Sequence, residues 1–283
     1  MQIHRKSSYL TILACMVISL QGCTKSTPPP SEENSDPPMI SMESAVPEEQ
    51  PAGAFKMTVA GVGGVVSAKP ADLSIDLNAA DGKPFKLRMK DTNFLVVRRD
   101  LSDFQRIKPQ EMNPGKLKVA LTFPGDGEYL SCLQFTTDDG KSYSLSAPLQ
   151  IGKTGKATLS ALTPDVGKSK DVDSYTFNLI DPPEQASTTM VSMPSFRISK
   201  DKRPSSNLEP IDDKAGYAVV LKEGDGKFLR TIPVTNQSLS KLYQQPIMFH
   251  VKVTEPGMYR MWSQFKIDGT IHTVAYTFEV KST

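Results

Sequence analysis

The sequence predicts an all-β protein: two tandem β-sandwiches behind a disordered N-terminal tether. Three observations carry that prediction. Short runs alternate apolar and polar residues with a period of two. Turn dipeptides separate the runs. One block of motifs also occurs twice in the same order, each copy about the length of one small sandwich domain.

The N-terminal segment comes first. His4, Arg5 and Lys6 make a short basic region, and Tyr9 to Leu20 is mostly apolar. Such a run suits a secretory signal but falls short of the ~20 residues a membrane-spanning helix needs. Leu20-Gln21-Gly22-Cys23 closes it, with small Gly22 just before the cysteine. This quartet resembles the lipobox of bacterial lipoproteins. The resemblance implies that residues 1–22 are removed and that Cys23 carries lipid, anchoring the chain to a membrane outside the cytoplasm. Thr24 follows the cysteine where aspartate would mark inner-membrane retention in enteric-type bacteria. By that analogy the expected address is the outer membrane, where the cell has one.

Residues 23–54 read as the lipidated tether. Positions 24–54 hold seven prolines, six acidic residues, one lysine and no aromatic residue. A segment of this composition buries too little apolar surface to offset its chain entropy. Its expected role is a spacer spanning roughly 30 Å or more.

Charge excludes one class of partner. The chain has 33 basic and 31 acidic residues; without Arg5, Lys6 and the acidic tether, residues 55–283 keep 30 against 25. These charges are scattered, not gathered into basic stripes interleaved with aromatics, so no nucleic-acid partner is expected. Cysteine adds no staple. With Cys15 lost and Cys23 acylated, Cys132 is the last thiol, and its strand setting predicts burial.

The strands follow. Leu117, Val119, Leu121 and Phe123 alternate with polar or small neighbours. So do Tyr143, Leu145, Ala147, Leu149 and Ile151; then Ile247, Phe249, Val251 and Val253; then Val274, Tyr276, Phe278 and Val280. Asp81-Gly82, Asp139-Gly140, Asp225-Gly226 and Asp268-Gly269 supply turns. No long stretch has a helical period.

The repeat sets the domains. Phe123-Pro124-Gly125-Asp126-Gly127-Glu128-Tyr129, running on to Gln134-Phe135, returns as Glu255-Pro256-Gly257-Met258-Tyr259, running on to Gln264-Phe265. Leu95 to Asp100 matches Ala218 to Glu223 in pattern. Each copy has the size of one immunoglobulin-like sandwich. The expected organisation is sandwich 1 over 55–152, a connector over 153–172 and sandwich 2 over 173–283.

The repeats also resemble a poorly characterised family of bacterial secreted and lipid-anchored β-sandwich proteins, some linked to copper or heavy-metal handling. In that family a His-Leu-Val-Val-Val strand leads to Asp-Leu-Ser-x-Phe-x-His-x-His-Pro, and later to Phe-Pro-x-x-Gly-x-Tyr-Arg-x-Trp-x-x-Phe. Asp100-Leu101-Ser102-Asp103-Phe104-Gln105-Arg106-Ile107-Lys108-Pro109 keeps the first frame, and Pro256 to Phe265 keeps the second. The histidines are gone. Arg106 and Lys108 replace the pair in the first copy, Arg230 and Ile232 in the second, and Asn93 and Tyr217 replace the strand-leading histidine. Arginine offers no lone pair, and protonated lysine repels a cation. The resemblance therefore implies that any histidine metal site of the family is absent here.

Methionine pairs are the remaining metal candidates. Met39 and Met42, Met190 and Met193, and Met258 and Met261 share a three-residue offset, and thioethers suit Cu(I). On a strand that offset puts the two side chains on opposite faces, which argues against Met258 and Met261. His250 and His272 read as surface or partly buried. Gly61-Val62-Gly63-Gly64 lacks the ending of a phosphate loop and reads as a bulged start to the first sandwich. The functional expectation is a non-catalytic, lipid-anchored binding or structural module without a cofactor, partnered by the membrane and an envelope protein. The alternative is a copper-handling protein using methionines.

Overall fold

The computed structural model describes residues 52–153, 161–205, 207–233 and 246–282, all within one compact unit. Residues Cys23, Met39 and Met42, the signal and most of the tether lie outside the described residues. The described chain is built from antiparallel strands with two short 3-10 turns and no α-helix.

The first sandwich has two four-stranded sheets. One orders β1 (Phe55–Ala60), β2 (Pro70–Ala79), β6 (Lys116–Thr122) and β5 (Gln110–Asn113) as β1-β2-β6-β5. The other orders β3 (Asn93–Arg98), β4 (Phe104–Ile107), β7 (Gly127–Thr136) and β8 (Ser142–Ile151) as β4-β3-β7-β8. In β6 the predicted alternation is realised: Leu117, Val119 and Leu121 are buried and their neighbours exposed. They meet Leu73, Ile75, Phe94, Val96, Leu133 and Phe135 in the first core.

The second sandwich repeats this plan. Strands β9 (Ser169–Val172), β10 (Tyr175–Ile180), β11 (Ser195–Lys200), β16 (Ile232–Pro233) and β17 (Ile247–His250) form one sheet, with β12 (Arg203–Pro204) pairing β11. Strands β13 (Leu208–Glu209), β14 (Tyr217–Lys222), β15 (Phe228–Arg230), β18 (Gly257–Ile267) and β19 (Thr270–Val280) form the other. Phe177, Phe196, Phe249, Phe265 and Tyr276 dominate the second core.

Both copies carry the corner of an immunoglobulin-like sandwich, in which a tyrosine near the start of a strand bonds back to the preceding turn. The Tyr129 hydroxyl donates to the Gly125 carbonyl at 2.8 Å, and Tyr259 does the same to Glu255 at 2.8 Å. Two residues upstream, Gly127 (φ 140°) and Gly257 (φ 143°) hold a backbone conformation that L side chains rarely adopt.

The sandwiches share a third core. In β3, Phe94 and Val96 face the first core while Leu95 and Val97 face away. In β14, Ala218 and Val220 face the second core while Val219 and Leu221 face away. The outward sets meet each other, joined by Leu101, Leu130, Cys132, Phe228 and Trp262. Phe104 stacks on Trp262 with ring centroids 5.3 Å apart. Strands β3 and β14 are therefore buried on both faces, a pattern that reads in sequence as an unbroken apolar run.

Several expectations need correction. Gly61 to Gly64 does not begin the first sandwich; it links β1 to β2, because Phe55–Ala60 already pairs with β2 in register. The end of the expected connector is a strand, since Ser169–Val172 pairs with β10. Within the expected tether, Ala52–Ala54 forms a 3-10 turn and Ala54 packs against the first core. The repeat alignment shifts by one residue: Leu95 pairs with Arg106 and Cys132 as Val219, not Ala218, pairs with Arg230 and Trp262. A one-residue slip swaps the two faces of a strand, so the shift decides which side chains enter the third core.

Candidate functional site: a polar junction between the sandwiches

The strand register bears out the matching of Asn93 with Tyr217 and of Arg106 with Arg230, and adds Gln134 with Gln264. Asn93 on β3 sits opposite Gln134 on β7, as Tyr217 on β14 sits opposite Gln264 on β18. Arg106 on β4 and Arg230 on β15 occupy matching sites beside them. Since the two sheets face each other, these residues converge at one end of the third core.

Arg106 is the centre of the cluster. Its side chain is only 5% exposed, and a buried guanidinium is costly unless its charge and its N–H groups are matched. Its Nε donates to Asn93 Oδ1 at 2.8 Å, and Nη1 approaches Gln264 Oε1 at 3.4 Å. Nη2 pairs with Asp212 Oδ2, and the guanidinium lies 4.5 Å from the centroid of the Tyr217 ring. The reciprocal contact comes from the second copy, where the Tyr217 hydroxyl donates to Gln134 Oε1 at 2.7 Å. Arg230 Nη2 donates to Thr136 Oγ1 at 3.3 Å. The two halves thus exchange polar contacts in both directions.

Lysines extend the network. Lys108 Nζ reaches Asp212 at 2.8 Å and donates to the carbonyls of Lys90 and Thr92. Lys90 in turn pairs with Asp213. Burial pushes the Lys108 ammonium down from its ordinary value, with the Asp212 bond opposing and Arg106 assisting. Burial pushes the Tyr217 phenol up, against the nearby Arg106 charge. A tyrosine held neutral and a carboxylate held by two cations make a firm structural joint.

Asn93, Arg106, Lys108, Tyr217 and Arg230, the positions singled out in the sequence, therefore come together. Ile232 does not join them; it lies in β16 opposite His250 in the outer sheet. Sequence reading named these positions without seeing that they meet. It missed Gln134, Gln264 and Asp212, although both glutamines stand at matched points of the repeat. His272 is buried, 6% exposed, against the expectation of a surface or partly buried ring, and its Nδ1 lies 2.7 Å from Asp173. His250 is half-buried and its pKa is lowered by burial. Among the methionine pairs, Met190 and Met193 are exposed before β11, while Met261 is buried in the second core. No group of three or more His, Cys, Asp or Glu side chains among the described residues is arranged to hold a metal ion.

A second concavity, lined by Asp100, Ser102, Leu162, Asp165, Arg260 and Thr277, lies beside the connector. There Asp165 accepts from the Thr277 amide at 2.7 Å and pairs with Lys170, pinning the connector to β19.

Residues 170–282 match a family described as a domain of unknown function, DUF8832. No curated protein matches the chain. Among solved structures, the fibronectin(III)-like modules of Clostridium thermocellum CbhA align at 13% identity over 80% of this chain and 95% of theirs, with a TM-score of 0.23. Salmonella alpha-2-macroglobulin aligns at 13% identity over 83% of this chain, which spans 15% of its length, with a TM-score of 0.27. A 1.5-MDa bacterial ice-binding adhesin aligns at 14% identity over 83% of this chain and 67% of its own, with a TM-score of 0.26. The fold given above rests on this chain's own strand pairing.

Proposed function

We propose that the protein is a lipid-anchored, extracytoplasmic module that binds or braces other envelope components without catalysis. The observation that carries this reading is the use of the junction's charged groups. Arg106, Lys108 and Asp212 are engaged with one another, holding two sheets together rather than standing free in a cleft. With β3 and β14 covered on both faces, loops and outer strand edges remain for contact, the usual recognition surfaces of such folds. The lipobox-like Leu20-Gln21-Gly22-Cys23 and the proline-rich stretch after it support an anchor at Cys23 and a spacer to residue 54. Thr24 supports an outer-membrane address. The division into sandwiches over 55–152 and 173–283 belongs to the same proposal.

The test is Cys23→Ser in the full chain, followed by fatty-acid labelling and membrane fractionation. Loss of label and release from the membrane fraction support the anchor. A variant that stays labelled overturns it. Affinity capture from membranes with the anchor intact then asks for a reproducible protein partner.

A further inference from the structure

The repeat breaks at one point on the face that forms the third core. Leu130 on β7 and Arg260 on β18 are equivalent positions, each two residues before a third-core side chain, Cys132 or Trp262. Residues two apart on a strand share a face. Leu130 is buried, and the turn between β14 and β15 closes on it: a Cβ added at Gly226 would stand 3.1 Å from Leu130 Cδ1. Arg260 has no such cover. The turn between β3 and β4 and the connector leave an open cleft of about 400 Å³ beside it, lined also by Asp100, Ser102, Thr163, Asp165 and Thr277.

Arg260 brings unmatched donors to this cleft. It makes no hydrogen bond or ion pair among the described residues, its Nε is buried without an acceptor, and its guanidinium carbon lies 5.8 Å from the centroid of the Trp262 ring. An unmet donor of this kind calls for an acceptor. The carboxylates offer the opposite. Asp165 is held through Oδ2 by the Thr277 amide and Lys170, and its Oδ1 accepts no bond among the described residues. Asp100 is held by Ser102 and Arg98. The connector wall is fixed in place, with Leu162 N donating to Glu223 Oε1 at 2.6 Å and Asp165 N to the Thr277 carbonyl at 2.9 Å. Two carboxylates and one guanidinium line the cleft, so an ionic ligand of either sign meets a like charge. A hydroxyl both donates and accepts, and so answers both walls. The volume lies at the small end of ligand clefts, ~300–1,000 Å³, the scale of a small sugar. We propose that the cleft binds a neutral sugar, with Arg260 donating to its oxygens and Asp100 and Asp165 accepting from its hydroxyls.

The experiment titrates the full chain with glucose, galactose and N-acetylglucosamine, and with glucuronate and glucosamine as charged counterparts, and follows binding by ligand-detected NMR. The expected result is saturable binding of at least one neutral sugar, with both charged sugars weaker. Arg260→Leu, which copies Leu130, should weaken that binding at least about tenfold, the loss expected when hydrogen bonds from a charged group are removed. Absence of saturable binding by all three neutral sugars overturns the site, as does a preference for either charged sugar. Undiminished binding in folded Arg260→Leu overturns it too. Should that variant fail to fold, amide shifts of the wild-type chain decide. Sugar-dependent shifts at Leu162, Thr163 and Thr277 support the site, and shifts confined to other residues overturn it.

Discussion

Leu95→Ala separates a fused pair of sandwiches from two beads on a string. Leu95 is 0% exposed, and its side chain lies in the third core, not in the core of its own sandwich. Val219, Leu221 and Phe228 face it from strands paired within the opposite sheet, so the space left by truncation cannot easily close. Buried leucine truncations cost about 2–5 kcal/mol according to how far the site collapses; the middle of that range, about 3 kcal/mol, is expected here. Were the sandwiches apart, the same residue would stand on an open sheet face and its loss would cost about 0.5 kcal/mol or less. Urea unfolding of residues 40–283 measures the difference. With an unchanged slope, about 3 kcal/mol moves the midpoint by roughly 1 M or more. Trp262 is the chain's single tryptophan and sits in the third core, so its fluorescence reports on the junction while circular dichroism reports on all strands. Both signals should shift together. A shift near zero, or a tryptophan transition that precedes the loss of strand signal, refutes the reasoning.

Three further predictions rest on the same contacts. Arg106→Met removes the bonds to Asn93 and Gln264 and leaves Asp212 with Lys108, costing about 2–3 kcal/mol; a double-mutant cycle with Asp212→Asn should return a coupling of at least about 1 kcal/mol. Alkaline pH should destabilise the fold. Burial pushes Tyr259 up to about 12 and raises Tyr217 and Tyr276 as well. The unfolded phenols ionise near 10 while the folded ones keep their protons, so stability is full below about pH 10 and falls above it. Tyr259 alone accounts for about 2–3 kcal/mol of that fall by about pH 12. The lowered pKa values of Lys108 and Lys214 act oppositely and earlier, raising stability as pH climbs towards 10.5; urea midpoints across pH 8 to 11 should therefore rise slightly and then drop. Tyr129→Phe and Tyr259→Phe should each cost about 1 kcal/mol in the same assay by removing the corner bonds to Gly125 and Glu255.

The all-β class and the repeat were legible because period-two alternation and turn dipeptides are local signals. Leu117 to Phe123 shows this plainly, one face apolar and the other wet. The third core was also written in the chain, as the unbroken runs Phe94 to Val97 and Ala218 to Leu221, but a continuous apolar run does not say what covers its second face. Matching Leu95 with Ala218 conflicted with the pairing of Asn93 and Tyr217, which implies Val219, and hid the matching faces, since pattern alone tolerates a slip that hydrogen-bond register forbids. The site was half legible. Arg106 and Arg230 stood out at matched points of the repeat, whereas Asp212 sits in a turn with no motif around it and reaches Arg106 only through tertiary packing.

Cys132 gives the most direct test of the packed junction. Its thiol is buried on the third-core face of β7, at the position Trp262 holds in the other copy. In residues 40–283 it is the only cysteine, so a maleimide reagent reports on it alone. If the sandwiches are fused, labelling in native buffer is slow and accelerates only as urea carries the protein through global unfolding. Labelling in native buffer at the rate of an exposed thiol would contradict a closed third core.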